Sequence, residues 1–121
     1  MPTTTKTVNV SITFPDDDAV VTTVSRRKVS VENGATAILQ WVITGDEGSF
    51  HETNPFTWNT SATEPPPPTV TRRSNTMLES TEYTNTVQGT SPLTWRYTLR
   101  VTRGTATVAI DPEVDNEAPP H

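Results

Sequence analysis

The stretch that decides the fold reads "LTWRYTLRVT", from Leu93 to Thr102. Its bulky apolar residues stand at every second position, and threonine or arginine fills the positions between them. Side chains of a β-strand point alternately to the two faces of a sheet, so a period of two indicates a half-buried strand. We therefore predict that one face of this strand meets the core through Trp95, Tyr97, Leu99 and Val101.

The same alternation recurs in earlier segments of the chain. In "TVNVSITF" the apolar positions are Val8, Val10, Ile12 and Phe14, and in "RKVSVENG" they are Val29 and Val31. The second segment closes on Asn-Gly, a pair typical of tight turns. "TAILQWVIT" (Thr36–Thr44) is more continuously apolar, which predicts a central strand buried on both sides, with Trp41 as its core anchor.

Threonine supplies 25 of the 121 residues, and its β-branched side chain favours strands. Short alternating segments separated by turns predict an all-β Greek-key β-sandwich of about seven or eight strands. We expect one domain over residues 6–112 and a flexible, proline-rich C-terminal tail over residues 113–121. A strand at the edge of a sheet is predicted at Thr69–Arg72. The spacing of Thr76 and Glu79 predicts a helical turn.

Composition excludes several classes of function. The chain has no cysteine, which rules out disulfides, thiol nucleophiles and thiolate metal sites. Its net charge of −5 argues against nucleic acid as a partner, because phosphate binding requires a basic surface. No apolar run reaches membrane-spanning length, and the opening "MPTTTKTVNV" does not resemble a signal peptide. These features do not specify a compartment.

The segment "GSFHETNPFTW", from Gly48 to Trp58, holds the candidate binding residues. Three aromatic residues in a short loop form either a recognition patch or a lid over the open end of the sandwich. The proline run Pro65–Pro68 is expected to cross the surface beside it, since proline cannot donate to a sheet. The predicted binding residues are Phe50, His51, Phe56 and Trp58.

His51 is the residue in that segment with the widest choice of roles. A metal site would need further ligands, and the other histidine is His121 at the end of the chain. A general base would need a paired nucleophile, and no nucleophile motif is present. We therefore expect a locally hydrogen-bonded histidine, with no catalytic residue, metal or cofactor. A small hydrolase or a weak metal-binding protein that uses His51 is the alternative.

The order of these signals resembles the cupredoxins, the blue-copper β-sandwiches. "VSVENGATAILQWVI" is similar to the paired strands of that family, His51 follows where its first histidine ligand is often found, and "LTWRYTLRVTRGTATVAIDP" is similar to its last two strands. The resemblance spans about Val29 to Pro112 and implies the fold alone, because a blue-copper site needs a cysteine thiolate. An immunoglobulin-like sandwich fits nearly as well, with Trp41 and Tyr97 as its characteristic aromatics.

Taken together, these features predict a non-catalytic binding or structural module rather than an enzyme. We expect its partner to be another protein. The sequence does not specify an oligomeric state.

Overall fold

A computed structural model describes residues 3–13, 21–24, 28–43, 48–60, 66–103 and 106–120. Within these ranges no helix is long and apolar enough to cross a membrane. Twelve strand segments make up the described fold: β1 (Thr3–Thr13), β2 (Val21–Val24), β3 (Lys28–Val31), β4 (Thr36–Ile43), β5 (Ser49–Phe50), β6 (Phe56–Trp58), β7 (Val70–Ser74), β8 (Met77–Ser80), β9 (Tyr83–Thr84), β10 (Leu93–Arg103), β11 (Ala106–Ile110) and β12 (Glu113–Asn116).

The strands form two mixed sheets packed face to face, so the predicted all-β sandwich is confirmed. The first sheet has the order β2-β1-β4-β8-β7, with β9 following β8 along the same edge of β4. The second has the order β11-β10-β12-β3, with β5 and β6 also paired to β10. Most neighbouring pairs are antiparallel, but β1 runs parallel to β4 and β3 runs parallel to β12.

Several segments are successive parts of one strand position. β11 and β12 follow each other along one edge of β10, and β5 and β6 follow each other along the opposite edge. β8 and β9 share an edge of β4 in the same way. The described segments are therefore more numerous than the seven or eight strands predicted, because interruptions divide single strand positions into two.

The core lies between the sheets, and β10 contributes to it as predicted. Trp95 is 4% exposed and the other three inward residues of β10 are fully buried. Val29 and Val31 of β3 are also buried, as is Val8 of β1. Phe14, predicted on the same face as Val8, lies outside the described residues.

β4 is buried on one face only, which corrects the prediction of a strand buried on both sides. Its inward residues, including Leu39 and Trp41, are fully buried, whereas Ile38 and Val42 on the other face are half-buried. The continuous apolar sequence of this strand therefore reflects an outer face that is partly covered, and Trp41 is the core anchor as expected.

The helical turn predicted at Thr76–Glu79 is wrong. Met77–Ser80 form β8, which pairs with both β4 and β7. Leu78 and Ser80 point inward and are buried, which is strand periodicity rather than helix periodicity. The Thr76 amide donates to Ser74 Oγ (3.2 Å) in the turn before β8, so no capping box forms. The edge strand predicted at Thr69–Arg72 is confirmed as β7, over Val70–Ser74.

The sandwich continues past the boundary predicted at residue 112. Glu113–Asn116, expected to begin a flexible tail, form β12 between β10 and β3. Val114 is fully buried, and Asn116 is 1% exposed. The sequence of β12 is polar apart from one valine and therefore did not indicate a strand. Its residues are buried because β10 and β3 lie on either side of it.

Candidate functional site

The segment Gly48–Trp58 lies along an edge of the second sheet. β5 and β6 pair with successive parts of β10, and residues 51–55 between them leave the sheet as an excursion. Arg100 of β10 holds both ends of this excursion. The His51 amide donates to the Arg100 carbonyl (2.8 Å), and the Arg100 amide donates to the Pro55 carbonyl (2.9 Å). A single residue of the rigid central strand therefore fixes where the excursion leaves the sheet and returns.

His51 organises the excursion from within. Its Nδ1 atom accepts the amide N–H of Asn54 (3.0 Å) and that of Thr53 (3.3 Å). An accepting Nδ1 carries no proton, so these contacts select the neutral tautomer protonated at Nε2. The ring thus closes the turn of the excursion, which agrees with the expected local hydrogen bonding.

Arg72 of β7 ties the excursion to the other sheet. Its guanidinium donates from Nη2 to the carbonyl oxygens of His51 and Glu52. The amide of Phe50 donates to the carbonyl of Asn75 (2.8 Å), in the turn after β7. The excursion is consequently anchored by hydrogen bonds to an edge of each sheet.

The structure separates the four residues predicted to bind. Phe50 is 1% exposed and belongs to the core, and His51 closes the turn of the excursion. Phe56 and Trp58 are half-buried and pack together with their ring centroids 4.8 Å apart. Only these two aromatic residues form a common, partly exposed surface.

A cluster of buried aromatic rings supports Phe56 and Trp58 from below. Phe56 stacks on Tyr97 with centroids 5.0 Å apart and lies 4.8 Å from Trp41. The Trp41 indole N–H donates to the Tyr97 hydroxyl (2.9 Å), a contact between the two sheets. Burial raises the pKa of the Tyr97 phenol to about 12, and the hydrogen bond from Trp41 acts in the opposite direction. The cluster provides a stiff base for the exposed edges of its outer members.

Three consecutive prolines, Pro66–Pro68, cross beside Trp58, and we call them the proline strap. The Trp58 indole N–H donates to the Pro68 carbonyl (2.8 Å). Pro68 is buried, Pro67 is half-buried and Pro66 is exposed. Pro65, the first proline of the predicted crossing, lies outside the described residues. The strap therefore lies beside the predicted binding segment, and the hydrogen bond from Trp58 to Pro68 holds it in that position.

A groove of about 460 Å³, the strap groove, opens between the excursion and the strap. Most of its described lining residues are apolar, and one of them, Arg72, is charged. Its principal lining residues are Pro55, Phe56, Trp58, Pro67, Val70 and Arg72. The groove thus combines partly exposed aromatic edges with a guanidinium that two backbone carbonyls hold in place.

No family model and no curated protein matches this chain.

Thr53 Oγ1, at 3.5 Å, is the hydroxyl that contacts the His51 ring, and the Nδ1 atom it faces is already an acceptor for two amides. In the described ranges, no three histidine, cysteine, aspartate or glutamate side chains are grouped to hold a metal ion. What the arrangement offers is shape and hydrogen bonding at a fixed surface.

Sequence reasoning missed two parts of this surface. Arg72 was not predicted as a site residue, because its reach to the excursion depends on how the two sheet edges approach each other. The hydrogen bond from Trp58 to Pro68 was also not predicted. The one available signal was the proline run ten residues after Trp58, which favoured a crossing close to that segment.

Proposed function

We propose that this chain is a non-catalytic β-sandwich module that binds a protein partner in the strap groove. The observation that carries the proposal is the position of Phe56 and Trp58. Both are half-exposed and form one wall of a concave surface that the strap and the excursion fix on either side. Aromatic side chains held in this way give a large contact area at a low cost in conformational entropy.

The anchoring of the excursion supports binding over catalysis. Loops that carry recognition are usually held by a rigid scaffold, and here Arg100 and Arg72 hold the excursion from both sheets. A hydrolase that used His51 would need Nδ1 or Nε2 free to exchange a proton with a nucleophile. Nδ1 accepts the amides of Thr53 and Asn54, and the tautomer that these contacts select carries its proton on Nε2. Neither nitrogen then has a free lone pair to accept a proton, and this favours a structural role for the ring.

We infer an immunoglobulin-like topology in preference to a cupredoxin-like one. Immunoglobulin-type sandwiches place strands one, two, five and four in one sheet and strands three, six and seven in the other. With β2 and β3 set aside as edge additions, the orders β1-β4-β8-β7 and β6-β10-β12 match this arrangement. The parallel pairing of β1 with β4 departs from it, since those sheets are otherwise antiparallel.

A peptide-display selection tests the proposed function. Random linear peptides are selected on the whole chain, and enriched sequences are titrated against ¹⁵N-labelled protein. We expect the bound peptides to move the Trp58 indole N–H resonance. The variant Val70→Lys, which changes the apolar wall of the groove, should weaken their binding about tenfold or more.

The matched control for this selection is Val108→Lys. Val108 is also half-buried on a strand, but it lies on β11 and does not line the strap groove. Peptides that bind Val70→Lys as tightly as they bind Val108→Lys would show that the strap groove is not the recognition surface.

A further inference from the structure

A second groove lies on the other side of the proline strap. It has a volume of about 570 Å³, and Pro66 forms part of its wall, as do the rings of Tyr83 and Trp95. Its remaining lining residues among the described ranges carry amide, hydroxyl or apolar side chains, and none of these is charged. We call it the neutral groove, because its composition disfavours a charged ligand.

Trp95 is distinctive among the three tryptophans. The indole N–H of Trp41 donates to Tyr97, and that of Trp58 donates to Pro68. The Trp95 indole N–H is buried and has no hydrogen-bond acceptor within the described part of the chain. Buried donors are nearly always paired, so an unpaired donor in the wall of a groove calls for an explanation.

Other polar groups at the back of the neutral groove are already paired. The Tyr83 hydroxyl donates to Asn116 Oδ1 (3.0 Å), and Asn116 Nδ2 donates to the Leu93 carbonyl (3.2 Å). The Asn85 amide group donates to two backbone carbonyls. Among the buried side chains that the structure describes in this wall, the Trp95 indole is therefore the one that still lacks an acceptor.

The proline strap shows which acceptor this surface accommodates. Trp58 donates its indole N–H to a proline carbonyl, with Pro67 and Pro68 lining the same groove. Proline has no N–H of its own and favours an extended conformation, so its carbonyl is available to a donor on a neighbouring surface. Aromatic grooves with tryptophan donors are a general means of binding proline-rich segments.

We propose that the neutral groove binds a proline-rich, uncharged segment of another protein, with one of its carbonyls accepting the Trp95 indole N–H. Among the prolines that the structure describes, none has a carbonyl that accepts the Trp95 indole N–H. Because Trp95 Nε1 is shielded from solvent, binding includes a small displacement of the groove rim, where Gln88 is exposed.

A saccharide is the competing ligand class, and the burial of Trp95 argues against it. Sugars bind aromatic side chains by lying flat on an exposed ring face, whereas Trp95 is only 4% exposed. Donation from the indole edge requires the displaced rim to uncover one atom, Nε1, rather than a whole ring face. The observations therefore favour a peptide carbonyl.

The three indole N–H resonances of ¹⁵N-labelled protein provide the test. Each is assigned with its tryptophan-to-phenylalanine variant, and the probe is an acetylated, amidated octaproline peptide. We expect the Trp95 resonance to move with saturation while the Trp41 resonance stays in place. A glycine–serine peptide of equal length should leave all three resonances unchanged.

Two variants locate the site. Trp95→Phe should retain the remaining indole resonances, and calorimetric titration should show about a tenfold loss of affinity for octaproline, the change expected when one well-formed contact is lost. Ser91→Arg, an exposed change on the groove rim, should block binding without touching the core, and it serves if Trp95→Phe does not fold. Ser30→Arg, an exposed serine on β3, is its matched control and should bind normally.

Four outcomes would overturn the proposal. The first is a Trp95 resonance that does not respond to octaproline, and the second is equal affinity in Ser91→Arg and Ser30→Arg. The third is a response to a neutral oligosaccharide such as cellohexaose in place of the peptide. The fourth is a Trp95 shift that follows protein concentration alone, which identifies a second copy as the occupant.

Movement of the Trp58 resonance without that of Trp95 places the peptide in the strap groove, so this inference fails while the proposed function stands.

Discussion

Trp41 joins the two sheets through both its ring and its indole nitrogen. The ring is fully buried among Phe56, Trp58 and Tyr97, and the indole N–H donates to the Tyr97 hydroxyl. We expect Trp41→Ala to lower the free energy of unfolding by about 3–5 kcal/mol, as large aromatic truncations do. A urea denaturation curve measures this loss, and a change below about 1 kcal/mol would contradict the assigned role.

The hydrogen bond between Trp41 and Tyr97 can be separated from ring packing. Tyr97→Phe keeps the ring and leaves the Trp41 donor unpaired, which costs about 1–3 kcal/mol. In a Trp41→Phe background the indole donor is already absent, so Tyr97→Phe breaks no hydrogen bond with residue 41. The loss in free energy of unfolding caused by Tyr97→Phe should therefore be smaller in that background. A double-mutant cycle from urea denaturation measures the difference between the two costs, and equal costs would show that the bond does not contribute.

Stability should fall at alkaline pH because Tyr97 is buried. Its pKa in the folded protein is about 12, and that of an unfolded tyrosine is about 10. Between these values the unfolded state loses its proton first, so stability present below about pH 10 is lost as pH rises towards pH 12. Burial raises the pKa of Tyr83 as well, and its effect has the same sign.

Thermal unfolding between pH 9 and pH 12 tests this dependence. The fall should be shallower in Tyr97→Phe than in the unsubstituted protein, since one of the two buried phenols is then absent. Identical slopes in the two proteins would mean that Tyr97 titrates normally in the folded state.

Asn85 joins three segments at one corner of the sandwich. It is 2% exposed, its Nδ2 donates to the carbonyls of Val31 and Glu117, and its Oδ1 accepts the Val87 amide. We expect Asn85→Ala to destabilise the protein by at least about 2 kcal/mol, because buried partners lose their hydrogen bonds. Gln88→Ala, an exposed amide in the same loop, is the control and should change stability by less than about 0.5 kcal/mol.

At the scale of elements, the excursion depends on one histidine acceptor. His51→Ala removes the acceptor of the Thr53 and Asn54 amides, while the contacts of Arg100 and Arg72 with the backbone remain. We expect faster hydrogen exchange at those two amides and little change in the sheets. Glu52→Ala, an exposed side chain in the same excursion, should leave the exchange rates unchanged. Equal exchange in both variants would remove His51 from this role.

Strands with strict alternation could be predicted from the sequence, and strands defined by their neighbours could not. β10 shows its burial in its own residue order, with Trp95 and Leu99 inward. β12 has only Val114 as an apolar residue, and its place in the sheet depends on a parallel partner far away in the chain. At β8, a local capping pattern competed with sheet pairing, and pairing prevailed because Leu78 fills the core.

The candidate site was predictable to a similar extent. The aromatic segment and the nearby proline run were evident from composition, and their contact at Trp58 and Pro68 agrees with the expected crossing. The burial of Phe50 depends on its pairing with Val101, which a loop interpretation did not anticipate. The unpaired indole of Trp95 is a property of assembled neighbours and has no signature in the sequence.

At the scale of the whole molecule, we expect no transition metal to bind at stoichiometric occupancy. The chain has no cysteine and only two histidines, and Nδ1 of His51 already accepts two backbone amides. Calorimetric titration of Cu(II) or Zn(II) into protein that lacks His121 measures this. Sub-micromolar 1:1 binding that disappears in His51→Ala would contradict the prediction.

The parallel pairing of β3 with β12 has a consequence for the order of folding. Asn33, just after β3, donates to the carbonyl of Glu117, a residue 84 positions later. Joining such distant segments is slow, because the intervening chain must lose its freedom before the contact forms. During synthesis the first sheet could assemble early, whereas β3 must wait for β12 to emerge. Until then the side chains of Val29 and Val31, which are buried in the folded protein, are exposed. Chaperones bind exposed apolar segments of this kind, so we expect them to bind β3 during that interval.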